Sequence, residues 1–384
     1  MAWLSRHYRG LTKRIGLQEQ LLVEMDEEVM ALKKAWEIEY DELRMIKRVA
    51  AGAFGVVFKA EWDTVTVAVK VLQQGLMMFD ESTVLEFEKE VEFLQRTRHP
   101  NVVRFFGAGT DPSGSPFLVL EFVAMGSLKD LLGKDMEKVL VEVNENGDPS
   151  GPGQWVTAED LDEELTLVST ARDRRDETMT VWELKLRLLR DVASGMAFIH
   201  SLDQMHRDLK SGNVLVSSSL RAKISDFGSI RQCFTRDRNQ HQQRTRLSSS
   251  HDPADPQYSQ QAGLQTMTSI SLTAGVGTPL YMAPEALTGD KYSFEADIFS
   301  FGVLMWEVAT QRPPDLIEQE KGSGYRGPIL ATLFSLLAEG KRLRFEDSGQ
   351  DAIPEWFKSL TYKCMAQDPR ERPSFGELKD HHLA

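Results

Sequence analysis

Cysteine is nearly missing from this chain: Cys233 and Cys364 are the only two in 384 residues, far apart and without metal-ligand spacing. That excludes a disulfide scaffold, gives no zinc site and suits a reducing compartment. No uninterrupted apolar run reaches the roughly 18 residues needed to cross a bilayer, and the N-terminus lacks the apolar core of a secretory signal. Neither a membrane span nor secretion is expected, and the cytoplasm is the expected location. An excess of positive charge is also lacking. With 45 Lys and Arg against 58 Asp and Glu, the formal charge is −13, which argues against nucleic acid as a partner and against broad attraction to anionic membrane. There is no internal repeat.

What remains is an ordinary globular composition, 41% hydrophobic and 27% charged, with enough length for two lobes that each bury a core. The first sixteen residues, MAWLSRHYRGLTKRIG, are basic and carry no acid, a composition shared by transit peptides and membrane-surface segments. Leu17, Leu21, Met25, Val29, Leu32 and Trp36 then recur at spacings of three and four, one apolar stripe along a helix. The stripe either packs on the next domain or forms a short dimerising coil, and it spans fewer than three heptads.

Beyond Tyr40, LRMIKRVAAGAFGVVFKAEW and TVTVAVKVL read as antiparallel strands broken at Asp63 and Thr64. A helical stretch, STVLEFEKEVEFLQRT, follows. HPNVVRFFGAG and PFLVLEFV read as further strands around the turn-forming DPSGSP. After Val123 the pattern turns helical, with two interruptions. Residues from about 133 to 178 are acidic and Gly/Pro-bearing, and those from about 232 to 272 are rich in Ser, Gln and Asp; both read as mobile insertions.

Three clusters carry chemistry. AAGAFGVV, Ala50 to Val57, lies between two strands, where backbone N–H groups beside glycine can approach phosphate oxygens. A tight hairpin would give the same letters. Lys70 closes the alternating strand VAVK and Glu90 lies in the next helix, so a strand cation can meet a helix anion. MHRDLKSGNVLV then sets His206, Arg207, Asp208, Lys210 and Asn213 beside a buried strand, a costly arrangement without partners or a task.

HRDLKSGNVL, followed by ISDFG and GTPLYMAPE, resembles the eukaryotic protein kinase signature in its expected chain order. The resemblance runs from about Trp36 to Leu383. It implies an α+β, bilobal protein kinase-like fold: a small antiparallel β lobe over residues 41–121 with one regulatory helix, and a larger, mainly helical lobe over 122–384. Residues 1–40 form a separate N-terminal segment. The implied cofactors are ATP and Mg2+, and the implied partners are protein substrates.

Carried over residue by residue, the resemblance makes Asp208 the group that orients and deprotonates the substrate hydroxyl, with Lys210 on the γ-phosphate. Asn213 and Asp226 become magnesium ligands. Lys70, paired with Glu90, holds the α- and β-phosphates, and the loop of Ala50, Gly52, Ala53, Phe54 and Gly55 covers the nucleotide. Adenine lies against backbone of Glu121 and Val123, beneath Leu120, with Val57, Ala68 and Leu215 as apolar walls; Ser127 and Asp130 are candidates for the ribose. Leu94, Phe105, His206 and Phe227 would form an apolar column anchored near Asp297, and Glu285 with Arg372 a structural ion pair.

Lys210 and Thr278 resemble serine/threonine kinases, and Trp36-Glu37-Ile38, HPNVVRFFGA and FGVLMWEVATQRPP resemble the tyrosine kinase-like group. Ala50 departs from the pattern by replacing the first loop glycine, the one feature favouring a pseudokinase scaffold. Dual specificity is a further alternative, as is a kinase recruited through the N-terminal helix or the acidic insertion. A phosphate on Ser271 or Thr273, paired with Arg207, is the expected activation switch.

Overall fold

Alternation of β-branched and polar residues from Leu43 to Val71 gives three strands, β1 (Leu43–Gly52), β2 (Gly55–Trp62) and β3 (Val65–Val71). The computed structural model describes residues 36–52, 55–72, 81–145, 179–233, 278–287, 292–320, 328–346 and 353–383. The N-terminal apolar stripe up to Leu32, loop residues Ala53 and Phe54, and the Ser/Thr-rich stretch through Thr273 lie outside them. Asp63 turns the β2–β3 hairpin with φ +56°, the left-handed geometry that two-residue hairpin turns require.

Helix α1 (Glu81–Arg96) follows, then β4 (Phe105–Thr110) and β5 (Pro116–Glu121), closing an antiparallel five-stranded sheet in the order β1-β2-β3-β5-β4. Trp36 to Ile38 run along β4: Ile38 N–H donates to Ala108 O, and Ala108 N–H to Trp36 O, each at 3.0 Å. Glycine is required there. A Cβ at Gly107 would lie 2.4 Å from Trp36 O, and one at Gly109 2.3 Å from Ile38 O.

The larger lobe begins with α2 (Leu128–Leu132) and α3 (Met136–Glu145). The latter corrects the sequence expectation of a mobile insertion from residue 133. Met136, Val139 and Leu140 recur on one face and are buried, so a helical period was present beneath the acidic composition. Gln232 likewise belongs to a strand.

Helix α4 (Val181–Ser201) opens on a capping box between Thr180 and Glu183 and buries Leu184, Leu188, Val192, Met196 and Ile199. Two short ladders follow: β6 (Gln204–Met205) with β9 (Arg231–Gln232), and β7 (Val214–Val216) with β8 (Ala222–Ile224). Helices α5 (Pro284–Leu287), α6 (Phe294–Thr310), α7 (Leu316–Gln319), α8 (Ile329–Ala338), α9 (Glu355–Cys364) and α10 (Phe375–Glu377) complete the lobe. Every residue of α6 from Ala296 to Ala309 is buried, as expected for a helix that is apolar nearly all round. Asp297 and Glu307 are the charged exceptions in that stretch, and both take part in the arrangement below.

Candidate active site

The β-strand register decides which side chains share the cleft face of the sheet. Val57 pairs with Lys70, Lys70 with Leu118, and Ala68 with Leu120. Side chains alternate along a strand, so Val57, Ala68, Lys70 and Leu120 point the same way, and all four are half-buried. Leu215 reaches the same region from β7, bridged to Ser127. The Ser127 hydroxyl donates to Asp130 Oδ2 at 2.6 Å and accepts Asp130 N–H at 3.2 Å, capping α2.

Gly55 closes the β1–β2 hairpin opposite Gly52, with φ +138°. A Cβ there would stand 2.2 Å from Val71 O, so only glycine lets β2 enter against β3. Ala50 does not disturb the hairpin, since it pairs with Val57.

The distant charges of the sequence meet here. Lys70 Nζ lies 3.0 and 3.3 Å from the Glu90 oxygens and 2.8 Å from Asp226 Oδ1. Burial works against charge on Lys70, but the Asp226 and Glu90 carboxylates overcome it and raise the ammonium above its ordinary pKa. Burial likewise opposes ionisation of Asp226, and the Lys70 ammonium overcomes that too, holding the carboxyl below its usual value. Burial, with the Asp226 carboxylate alongside, pushes the Glu90 carboxyl up against the pull of Lys70.

Asp208 is buried and carries a second set of donors. Lys210 Nζ reaches its Oδ2 at 2.7 Å, and Asn213 Nδ2 reaches the same oxygen at 2.9 Å and the Asp208 carbonyl at 2.8 Å. Burial pushes the Asp208 carboxyl up, against the pull of Lys210. Ser225 N–H and Oγ both donate to Asn213 O, at 2.9 and 3.0 Å, which sets Asp226 beside Asn213. Asp226 is held at φ +61°, a left-handed backbone that a non-glycine residue adopts only when its surroundings impose it.

Asp297 fixes the loop from below. Its Oδ2 accepts His206 N–H and its Oδ1 Arg207 N–H, each at 2.9 Å, and His200 Nε2 lies 2.9 Å from Oδ2. His206 meets Phe227 edge-on with ring centroids 5.3 Å apart, and Leu94 and Phe105 lie buried in the same core. Glu285 and Arg372 form a bidentate pair, with Arg372 buried.

A family model described as "Protein tyrosine and serine/threonine kinase" matches residues 43–253, and one described as "Protein kinase domain" matches 156–384. The chain belongs to the protein kinase family. The serine/threonine-protein kinase CTR1 of Arabidopsis thaliana is 29% identical over 346 residues, 90% of this chain and 32% of that protein. The Arabidopsis serine/threonine-protein kinase STY17 is 26% identical over 343 residues, 89% of this chain and 44% of the relative. A putative serine/threonine-protein kinase/receptor, R831 of Acanthamoeba polyphaga mimivirus, is 30% identical over 345 residues, 89% of this chain and 16% of the relative. This kinase chain thus spans less than half the length of these curated relatives.

Several working residues escaped the sequence reading. Lys223 forms a buried pair with Glu121, Nζ to Oε2 at 2.9 Å, while Arg104 N–H donates to Glu121 Oε1 at 2.8 Å; together they fix the end of β5. Ser211 Oγ and Tyr281 Oη both donate to Glu307, at 2.8 and 2.5 Å, tying the Asp208 loop to the segment after Thr278. Lys223 had a legible signal, a lone cation within the apolar β8. The Ser211–Glu307–Tyr281 relay had none, since it joins three distant stretches. Among the described residues no helix is long and apolar enough to cross a membrane.

Proposed function

We propose that this kinase chain transfers the γ-phosphate of ATP to serine and threonine hydroxyls of proteins, and that it is a member of the tyrosine kinase-like group. One observation carries the reading: a buried carboxylate, Asp208, held by Lys210 and Asn213, beside Lys70 bridging Glu90 and Asp226. Phosphoryl transfer needs positioning and positive charge more than covalent chemistry.

In this reading Lys70 binds the inner phosphates, and Glu90 keeps its ammonium aimed into the cleft. The loop from Ala50 to Gly55 covers them. Val57, Ala68, Leu120 and Leu215 sandwich the base, and Glu121 and Val123 offer it backbone groups. Ser127 and Asp130 lie at the cleft edge for the ribose. Asp208 orients the substrate hydroxyl and takes its proton, and Lys210 steadies the transferred group.

Magnesium fits the donors present. Asn213 directs its amide nitrogen at Asp208, leaving its oxygen as the donor beside the Asp226 carboxylate, and a hard cation prefers such oxygens. When bound it neutralises charge on the phosphates. The serine/threonine assignment is supported by Lys210 and by the names of the relatives. The switch falls to Arg207, whose guanidinium lies 5.0 Å from the Tyr292 ring and whose buried Nε has no hydrogen-bond partner among the described residues. A phosphate on Ser271 or Thr273 would give it one.

Purified chain with ATP and magnesium should label a generic basic protein on serine and threonine, and Asp208→Asn should lose about a hundredfold or more in rate. Because the Asp208 pKa is raised, activity should fall as acid protonates it, with the limb of the kcat/KM profile above the ordinary aspartate value of 3.8. Equal label in wild type and Asp208→Asn, or phosphotyrosine alone, would overturn the assignment.

A further inference from the structure

Glu86 stands one helical turn ahead of Glu90 on α1, and its Oε1 accepts from Arg231 Nη2 at 2.8 Å. Arg231 lies in β9, five residues beyond Asp226, and pairs through its backbone with Met205, directly before His206. The two side chains are only 20% and 24% exposed. Helix α1 is therefore tied to the stretch around Asp226 at two points one turn apart: through Glu90 and Lys70, and through Glu86 and Arg231.

We propose that the Glu86–Arg231 ion pair is a latch that holds α1 in its Lys70-engaged position with no phosphate on the activation segment; this rests on the kinase reading above. The charges around the pair support it. Arg231 is close enough to Arg207 and Lys89 for each to feel its repulsion, so three cations gather at this corner. Glu86 supplies the anion that such a group needs to stay compact. A phosphate arriving later finds Arg231 already neutralised and acts through Arg207 on the substrate-facing part of the segment. Glu86 and Arg231 are positioning residues, since they act through the placement of Glu90 and Asp226.

The test uses the full chain, treated with a protein phosphatase until its intact mass shows no phosphate. Wild type, Glu86→Arg, Arg231→Glu, the double swap and Glu86→Gln are compared by hydrogen exchange of the α1 amides without nucleotide, KM for ATP, kcat and thermal midpoint. Dephosphorylated wild type should keep α1 protected. Each single reversal should speed α1 exchange about tenfold and lower kcat/KM for ATP about tenfold, and the double swap should return both to within about threefold. Should a reversal fail to fold, Glu86→Gln reads the same quantities.

Loss of α1 protection in dephosphorylated wild type overturns the proposal. So do unchanged exchange in folded Glu86→Gln, or reversals that the double swap does not rescue. If Asp208→Asn labels substrate as well as wild type, the kinase reading fails while the exchange result stands by itself.

Discussion

Lys70 shows how much can rest on one side chain. Its ammonium serves two carboxylates, Glu90 and Asp226, in a site where burial opposes every charge. Removing one member of a buried ionic group costs about 3–5 kcal/mol, because the remaining charge is stranded. Lys70→Met should therefore lose activity and that much stability at pH 7. The pH dependence has a definite sign. In wild type the depressed Asp226 pKa contributes stability that is present above the unfolded value and lost as pH falls through the folded one. In Lys70→Met the stranded carboxyls take up protons more readily folded than unfolded, so that protein gains relative stability as pH falls. Denaturant midpoints at pH 7 and pH 5 should show the gap between the two proteins narrowing; a constant gap would show that Lys70 does not hold these carboxylates.

Among the elements, the strands of the small lobe were legible because alternation and turn residues act locally, and the β2–β3 turn fell at Asp63 as the sequence indicated. Helix α3 was not legible as structure, since its surroundings are acidic and glycine-bearing, and composition outweighed the recurrence of Met136, Val139 and Leu140. The roles of Asp208, Asn213 and Asp226 came through family resemblance, because no local pattern says that they share a cleft with Lys70, more than a hundred positions away. Glu86 with Arg231 was invisible for the same reason, since each charge alone reads as a solvated surface group, whereas Lys223 stands out as a lone cation in the apolar β8 without revealing Glu121 as its partner. The status of α3 as a packed element has a direct test. Val139 is 6% exposed and Val141 52%, two residues apart on opposite sides of the helix. Val139→Asp should destabilise the chain by about 3 kcal/mol, through an unpaired charge in the core, and Val141→Asp should stay within about 0.5 kcal/mol of wild type. Equal midpoints in a denaturant titration would return α3 to the status of a loose insertion.

Across the whole molecule, the lobes meet through β8 and the turn after α1. Val103 N–H donates to Ile224 O and Ile224 N–H to Asn101 O, both at 2.9 Å. One hydrophobic cluster runs from Val91, Phe93 and Leu118 in the small lobe to Leu188, Ile224 and Phe301 in the large one. Lys223 adds an ionic tie from β8 to Glu121, whose side chain is wholly covered. A core shared between lobes makes them unfold together, so tryptophan probes in the small lobe (Trp62) and the large lobe (Trp306) should report one denaturant midpoint. Lys223→Met strands the Glu121 carboxylate and should lower that midpoint by about 3–5 kcal/mol in stability, with both probes moving together. Adding Glu121→Leu should recover most of the loss, because an apolar pair of similar volume removes the stranded charge. Probes that separate in wild type would show that the lobes are independent folding units, and the cleft between them would then owe its geometry to the nucleotide rather than to the shared core.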